Sequence, residues 1–157
     1  MRHPRRARLL RRLRSPKGAT LVEAAVITPL LLLLTLSTVD FAGLFYAYLA
    51  LEHGVSQASR FAVTGNLVTG MDRRQSIRAA MRKAAPSLTI DDDSFAFSHR
   101  PAGSAAWRAG TGGPGDIEKV TVTYGWDLWT PLMRPFFTNG RVLMRVESAM
   151  KNESRWE

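Results

Sequence analysis

An apolar run long enough to cross a bilayer constrains everything else in this chain. Lys17 to Val39 reads KGATLVEAAVITPLLLLLTLSTV: a basic residue, a small-residue junction, a lone carboxylate at Glu23, then Leu, Val and Ile with no further charge. As a helix rising ~1.5 Å per residue, Ala19 to Val39 spans the ~30 Å of a hydrocarbon core. Four regions follow from that placement. Residues 1–18 read as a basic leader, 19–39 as a transmembrane helix, 40–65 as an extension of the same helix beyond the membrane, and 66–157 as a small α+β domain.

The net charge of +9 over 157 residues resembles a nucleic-acid signature until it is located. Arg2, Arg5, Arg6, Arg8, Arg11, Arg12, Arg14 and Lys17 supply eight of the positive charges, and no acid precedes Glu23. From Gly18 onward the charges nearly cancel. The basicity therefore belongs to the leader, where it sets topology: flanking cations keep their side cytoplasmic, so the domain after the helix is translocated, to the periplasm in a Gram-negative cell. The absence of cysteine excludes a disulfide framework and a thiolate metal site.

Two features depart from an ordinary secretory signal. The apolar run is too long for a simple h-region, and no small-residue cleavage site closes it. The good junction, Gly18-Ala19, lies before the run, so cutting there leaves the apolar helix as the new N-terminus. Glu23 does not prevent insertion. The leucines, valines and isoleucine contribute several kcal/mol together, against ~2.5–3.5 for a charge at the helix centre and less near its end. Pro29 removes one backbone donor and is expected to kink or locally open the helix.

A carboxylate in an apolar span has a bland reading, a group snorkelling to the headgroups, and a functional one that needs a partner. Cleavage after Gly18 supplies the partner. The new α-amino group of Ala19 stands four residues from Glu23, one helical turn away, and would pair with it within the chain or across to a neighbouring subunit. Such a pair would set axial register between packed helices, since mismatched subunits would leave buried charges unpaired.

Lys-Gly-Ala-Thr-Leu-Val-Glu resembles the processing site of type IV prepilins, with Gly before the cut and Glu at the fifth position after it. The longer stretch through SRFAVTG resembles the TadE-like domain of tight-adherence (Flp) pilus assembly, at Gly18, Glu23, Pro29, Asp40-Phe41, Tyr46-Ala47-Tyr48 and Ser59-Arg60-Phe61-Ala62. Weaker likeness extends to VTVTYGWDLWTPLM and VLMRVESAMKNE. The family usually has an aromatic after the Glu, where this chain has Ala24. The resemblance implies a minor pilin or pseudopilin with a pilin-like fold, cut after Gly18 by a prepilin peptidase. It further implies an inner-membrane position and partners among other pilins and pseudopilins and the assembly platform, besides membrane lipid. Pro29, Asp40, Phe41, Phe45 and Tyr48 become candidates for helix packing. An unprocessed single-pass anchored periplasmic protein is the alternative.

Beyond Asp40 the helical spacing continues through Phe41, Leu44, Phe45, Tyr48, Leu51, Val55, Ala58 and Ala62, a stripe expected mainly to pack on the chain's own domain. Thr69 and Asp72 suggest a capping-box start for a second helix carrying Ile77, Ala80, Met81, Ala84 and Leu88 and halted near Pro86. Its arginine-rich opposite face is expected to be solvated. Asp91-Asp92-Asp93 reads as a turn, residues 94–98 as a short strand, residues 101–115 as a mobile loop, and Ile117–Tyr124 with Arg141–Met150 as an antiparallel pair. The aromatic connection WDLWTPLMRPFFTNG is read as a satellite core over the sheet ahead of an exposed patch. The sum is a membrane-anchored α+β chain with a long N-terminal helix, a second short helix and about three antiparallel strands.

No catalytic constellation emerges. His3 lies in the leader, His53 and His99 stand alone, and the Gly-rich segment lacks the Lys-Ser/Thr of a phosphate loop. The chain is read as a non-enzyme without metal, cofactor or nucleic-acid partner.

Overall fold

A 48-residue helix, α1, runs unbroken from Pro16 to Val63 in the computed structural model, which describes residues 16–155. Its length is ~72 Å. Proline suits a first helical turn, where its missing N–H has no intrahelical partner to lose. The leader arginines at positions 2–14 lie outside the described residues. The helix begins earlier than the expected Ala19, so the Gly18-Ala19 junction sits inside its first turn. It also continues through Pro29, where a kink or opening was anticipated. Gly65, at φ 70°, ends it with an N–H donated to the carbonyl of Ala62 at 3.2 Å.

Helix α2, Arg73–Ala84, starts one step later than the expected pattern. Asp72 is the cap itself: its carboxylate accepts from the Gln75 N–H at 2.7 Å, while the Gln75 side chain accepts from the Asp72 N–H at 3.0 Å. Thr69 is separated from this box by Gly70 at φ 80°. Leu88 lies past the helix end yet is buried in the core.

The sheet contains four antiparallel strands in the order β2-β1-β3-β4. They are β1 (Phe95–Arg100), β2 (Arg108–Ala109), β3 (Ile117–Asp127) and β4 (Arg141–Lys151). The expected three are present, and the two-residue β2 adds a fourth inside the segment read as a loop. That segment is held at its ends: Asp116 accepts from the N–H groups of Ala102 at 3.1 Å and Gly113 at 2.9 Å. In the β3–β4 ladder Val122 faces Val146 and Tyr124 faces Met144, which fixes the apolar side of the sheet toward the helices.

The core joins Ala47, Leu51, Val55, Ala58 and Ala62 of α1 to Ile77 and Met81 of α2 and to Val120, Val122, Met144 and Val146 of the sheet. This corrects the expected stripe. Leu51 to Ala62 do pack inward, but Phe41, Phe45 and Tyr48 are exposed. The residue that takes the inward position one turn before Leu51 is Ala47, which is fully buried in the core. Gly54 has a role the sequence hid, since a Cβ there would stand 3.1 Å from Ala85 and 3.2 Å from Met81.

The basic face of α2 is also less solvated than expected. Arg73 reaches the buried Glu118 at 2.7 Å and the Ala62 carbonyl at 2.8 Å, tying α1, α2 and β3. Arg78 lies over the rings of Phe95 and Phe97, and Arg82 pairs with Asp92 at 2.6 Å. Asp92 of the acidic turn thus answers α2.

Candidate functional site: the anchor helix and its clasp

The first half of α1 touches almost nothing. Every residue from Ala19 to Leu32 is exposed, and none of the most apolar stretch is buried. Leu21, Val22, Val26, Ile27 and Leu30 to Leu32 present their side chains outward around the whole circumference. A helix apolar on every side and uncovered by its own domain is long and apolar enough to cross a membrane. Its three late hydroxyls are satisfied within the helix: Thr35, Ser37 and Thr38 donate to the carbonyls of Leu31, Leu33 and Leu34 at 2.8, 2.6 and 2.9 Å. This i−4 bonding removes the penalty of carrying free donors in an apolar environment.

Glu23 lies on this exposed half, one turn from Ala19 in the helix, and no described side chain pairs with it. Gly18, Ala19 and Glu23 are therefore brought onto one short helical segment. Pro29 is exposed on the same half.

Asp40 behaves differently from the other packing candidates. It is 2 % exposed, and what buries it is its own domain. Its carboxylate accepts from the backbone N–H of Trp129 at 2.8 Å and of Thr130 at 3.1 Å, and from the Thr130 hydroxyl. Burial by itself pushes this carboxyl up. The hydroxyl and backbone donors, with the nearby Arg134 charge, outweigh burial and hold it below the ordinary 3.8. Asp40 is thus a clasp between α1 and the β3–β4 connection.

Around the clasp, Gly43 leaves room for two tryptophans: a Cβ there would meet Trp126 and Trp129 at 3.0 Å each. The two indoles pack at 5.4 Å between centroids. Farther along the connection, Ser37 approaches the Met133 sulfur at 3.1 Å. The aromatic segment is therefore split. Leu128 is buried and Trp126 half-buried, in keeping with a satellite core, whereas Trp129 and Phe136 are exposed. Nothing in the linear sequence pairs position 40 with position 130; a lone Asp at the end of an apolar run was the available signal.

Residues 18–60 match the model of the TadE-like protein family. The match lies wholly within α1 and ends before α2, so the TadE-like likeness is carried by the helix rather than by the sheet. It takes in Gly18, Glu23, Pro29, Asp40, Phe41, Phe45 and Tyr48. The comparisons with curated proteins and with solved structures gave no match.

Proposed function

We propose that this chain is a minor pilin or pseudopilin of a tight-adherence pilus system, inserted as a prepilin, cut after Gly18 and assembled through α1. The observation that carries the reading is the TadE-like match over an apolar helix that its own domain leaves bare around Glu23. An uncovered helix with one carboxylate suits lateral packing in lipid, where the Ala19 amine and Glu23 of adjacent subunits set the axial stagger.

The position of Gly18 in the first turn of α1 is compatible with cleavage. The first turn of a helix has the fewest intrahelical bonds, so opening it for a peptidase costs little. Beyond the span, the exposed Phe41, Phe45 and Tyr48 recur at four- and three-residue steps and offer a second strip to neighbouring pilin helices. The leader stays cytoplasmic, the domain from residue 66 onward is periplasmic, and the partners are prepilin peptidase, companion pilins and the inner-membrane platform. The role is structural, not enzymatic.

Intact-mass measurement of membrane-purified protein is expected to give a chain beginning at Ala19. Glu23→Ala is expected to insert and to be cut normally, yet to abolish pilus assembly. A chain retaining Met1 through Gly18 would leave the unprocessed single-pass anchor as the reading, and normal pili from the Glu23→Ala strain would remove the register role.

A further inference from the structure

We infer that the β3–β4 connection is a second membrane contact, an aromatic foot that rests in the headgroup–acyl boundary of the bilayer beside the point where α1 leaves it. The inference rests on the reading of residues 19–39 as a membrane span. Depth is the first observation. The Asp40 carboxylate holds Trp129 and Thr130, and Met133 lies against Ser37, in the last turn of that span. The connection therefore reaches back along α1 to the membrane side of Asp40 rather than away from it.

Composition is the second. Trp129, Leu132 and Phe136 are 58, 39 and 71 % exposed, and they flank Arg134. Indole, aliphatic and phenyl groups with an arginine among them match the interface, where amphipathic rings sit at headgroup level and a guanidinium meets phosphate. In water these apolar side chains would stay exposed to solvent.

Backbone satisfaction is the third. A segment entering the edge of the hydrocarbon must bond its own peptide groups. Here Phe136, Phe137 and Gly140 donate to the carbonyls of Met133, Arg134 and Phe137 at 3.1, 3.2 and 3.0 Å. Leu128 donates to Gly140 at 3.1 Å, and the Leu128 carbonyl accepts from the Arg134 side chain at 3.1 Å. Two tight turns thus bond part of their own backbone, and Phe136 on the first of them is exposed. A second copy of the chain could cover such side chains, but it would not require the foot to lie level with Ser37; a bilayer around α1 reaches that level automatically.

The chain has no native cysteine, so single labelled positions can be read cleanly. Full-length Phe136→Cys, Leu132→Cys, Leu34→Cys and Leu67→Cys proteins, each carrying an environment-sensitive fluorophore, would be reconstituted into phosphatidylethanolamine–phosphatidylglycerol vesicles. A lipid nitroxide on the upper acyl chain serves as quencher. Leu34 reports the span, and Leu67, exposed past the far end of α1, reports water. We expect blue-shifted emission and strong nitroxide quenching at positions 34, 132 and 136, with neither effect at 67. Quenching at 34 but not at 132 and 136 overturns the foot while leaving the anchor standing. A blue shift at 132 and 136 without lipid quenching also overturns it, in favour of a protein contact. Loss of quenching at 34 itself overturns the anchor, and the foot with it. All four positions are exposed, so the substitutions leave the core untouched.

Discussion

Asp40 is the residue on which the join between helix and domain depends. Its carboxylate satisfies two peptide N–H groups and one hydroxyl that would otherwise be buried without acceptors. Asp40→Ala is expected to cost about 3 kcal/mol, because the stranded donors keep their desolvation penalty while the acceptor is gone. Thermal unfolding in detergent would measure the loss, and faster chymotryptic cleavage at Trp129 or Phe137 would show the connection released; an unchanged Tm and cleavage rate would refute the clasp. The same group has a pH signature. Its carboxyl is held below the ordinary 3.8, so the folded state binds fewer protons than the unfolded chain. The stability it contributes is complete above 3.8 and is lost as pH falls through the lower folded value. Asp92, Asp116 and Asp127 are shifted the same way by Arg82, by the Gly113 N–H and by Arg141 respectively, but Asp92 and Asp127 are exposed and add little. Acid loosening below 3.8 that disappears in Asp40→Asn is the expected result, followed by trypsin-independent proteolysis of the connection.

At the level of elements, α1 is one helix with two environments. From Ala47 onward one face is covered by α2 and the sheet, and Leu51 there is fully buried. Leu51→Ala is expected to destabilise the domain by about 3 kcal/mol through lost burial and the cavity left behind. Membrane retention should not change, since residue 51 lies outside the apolar run. Unfolding by denaturant and fractionation of the same variant separate the two effects: a variant that leaves the membrane would show that domain and anchor are not independent. Gly43 and Gly54 serve the covered face as close-approach points, one for the tryptophans of the connection and one for α2. The sheet has its own close-approach point at Gly125 of β3, where a Cβ would stand 2.6 Å from the Arg141 side chain, while the alternation of Val120, Val122 and Tyr124 against Met144 and Val146 sets its register.

For the whole molecule, the layout is a bare apolar helix at one end and a packed α+β domain at the other, joined through Asp40. A cationic leader alone would hold the chain to a membrane by charge, and salt would release it. A spanning helix would not be released. Membranes washed at high salt are therefore expected to retain the protein, with detergent needed for extraction. Release by salt alone would contradict the anchor and return the eight leader cations to an electrostatic role.

The sequence by itself determined the apolar helix, its lone acid, the second helix and the main antiparallel pair, because each is a local pattern of periodicity, charge or capping. It also put Phe41, Phe45 and Tyr48 on the stripe facing the chain's own domain, and there the tertiary structure decided otherwise. Residues three and four apart share a helical face, but which edge of that face meets the sheet depends on where the sheet lies. The domain chose Ala47 and Leu51, leaving the aromatics outside. Likewise the Asp40–Thr130 clasp, the Arg73–Glu118 tie and the placement of the 128–140 connection beside Ser37 each join positions far apart in the chain. Such contacts have no local signature, because only the folded path of the backbone brings donor and acceptor within reach.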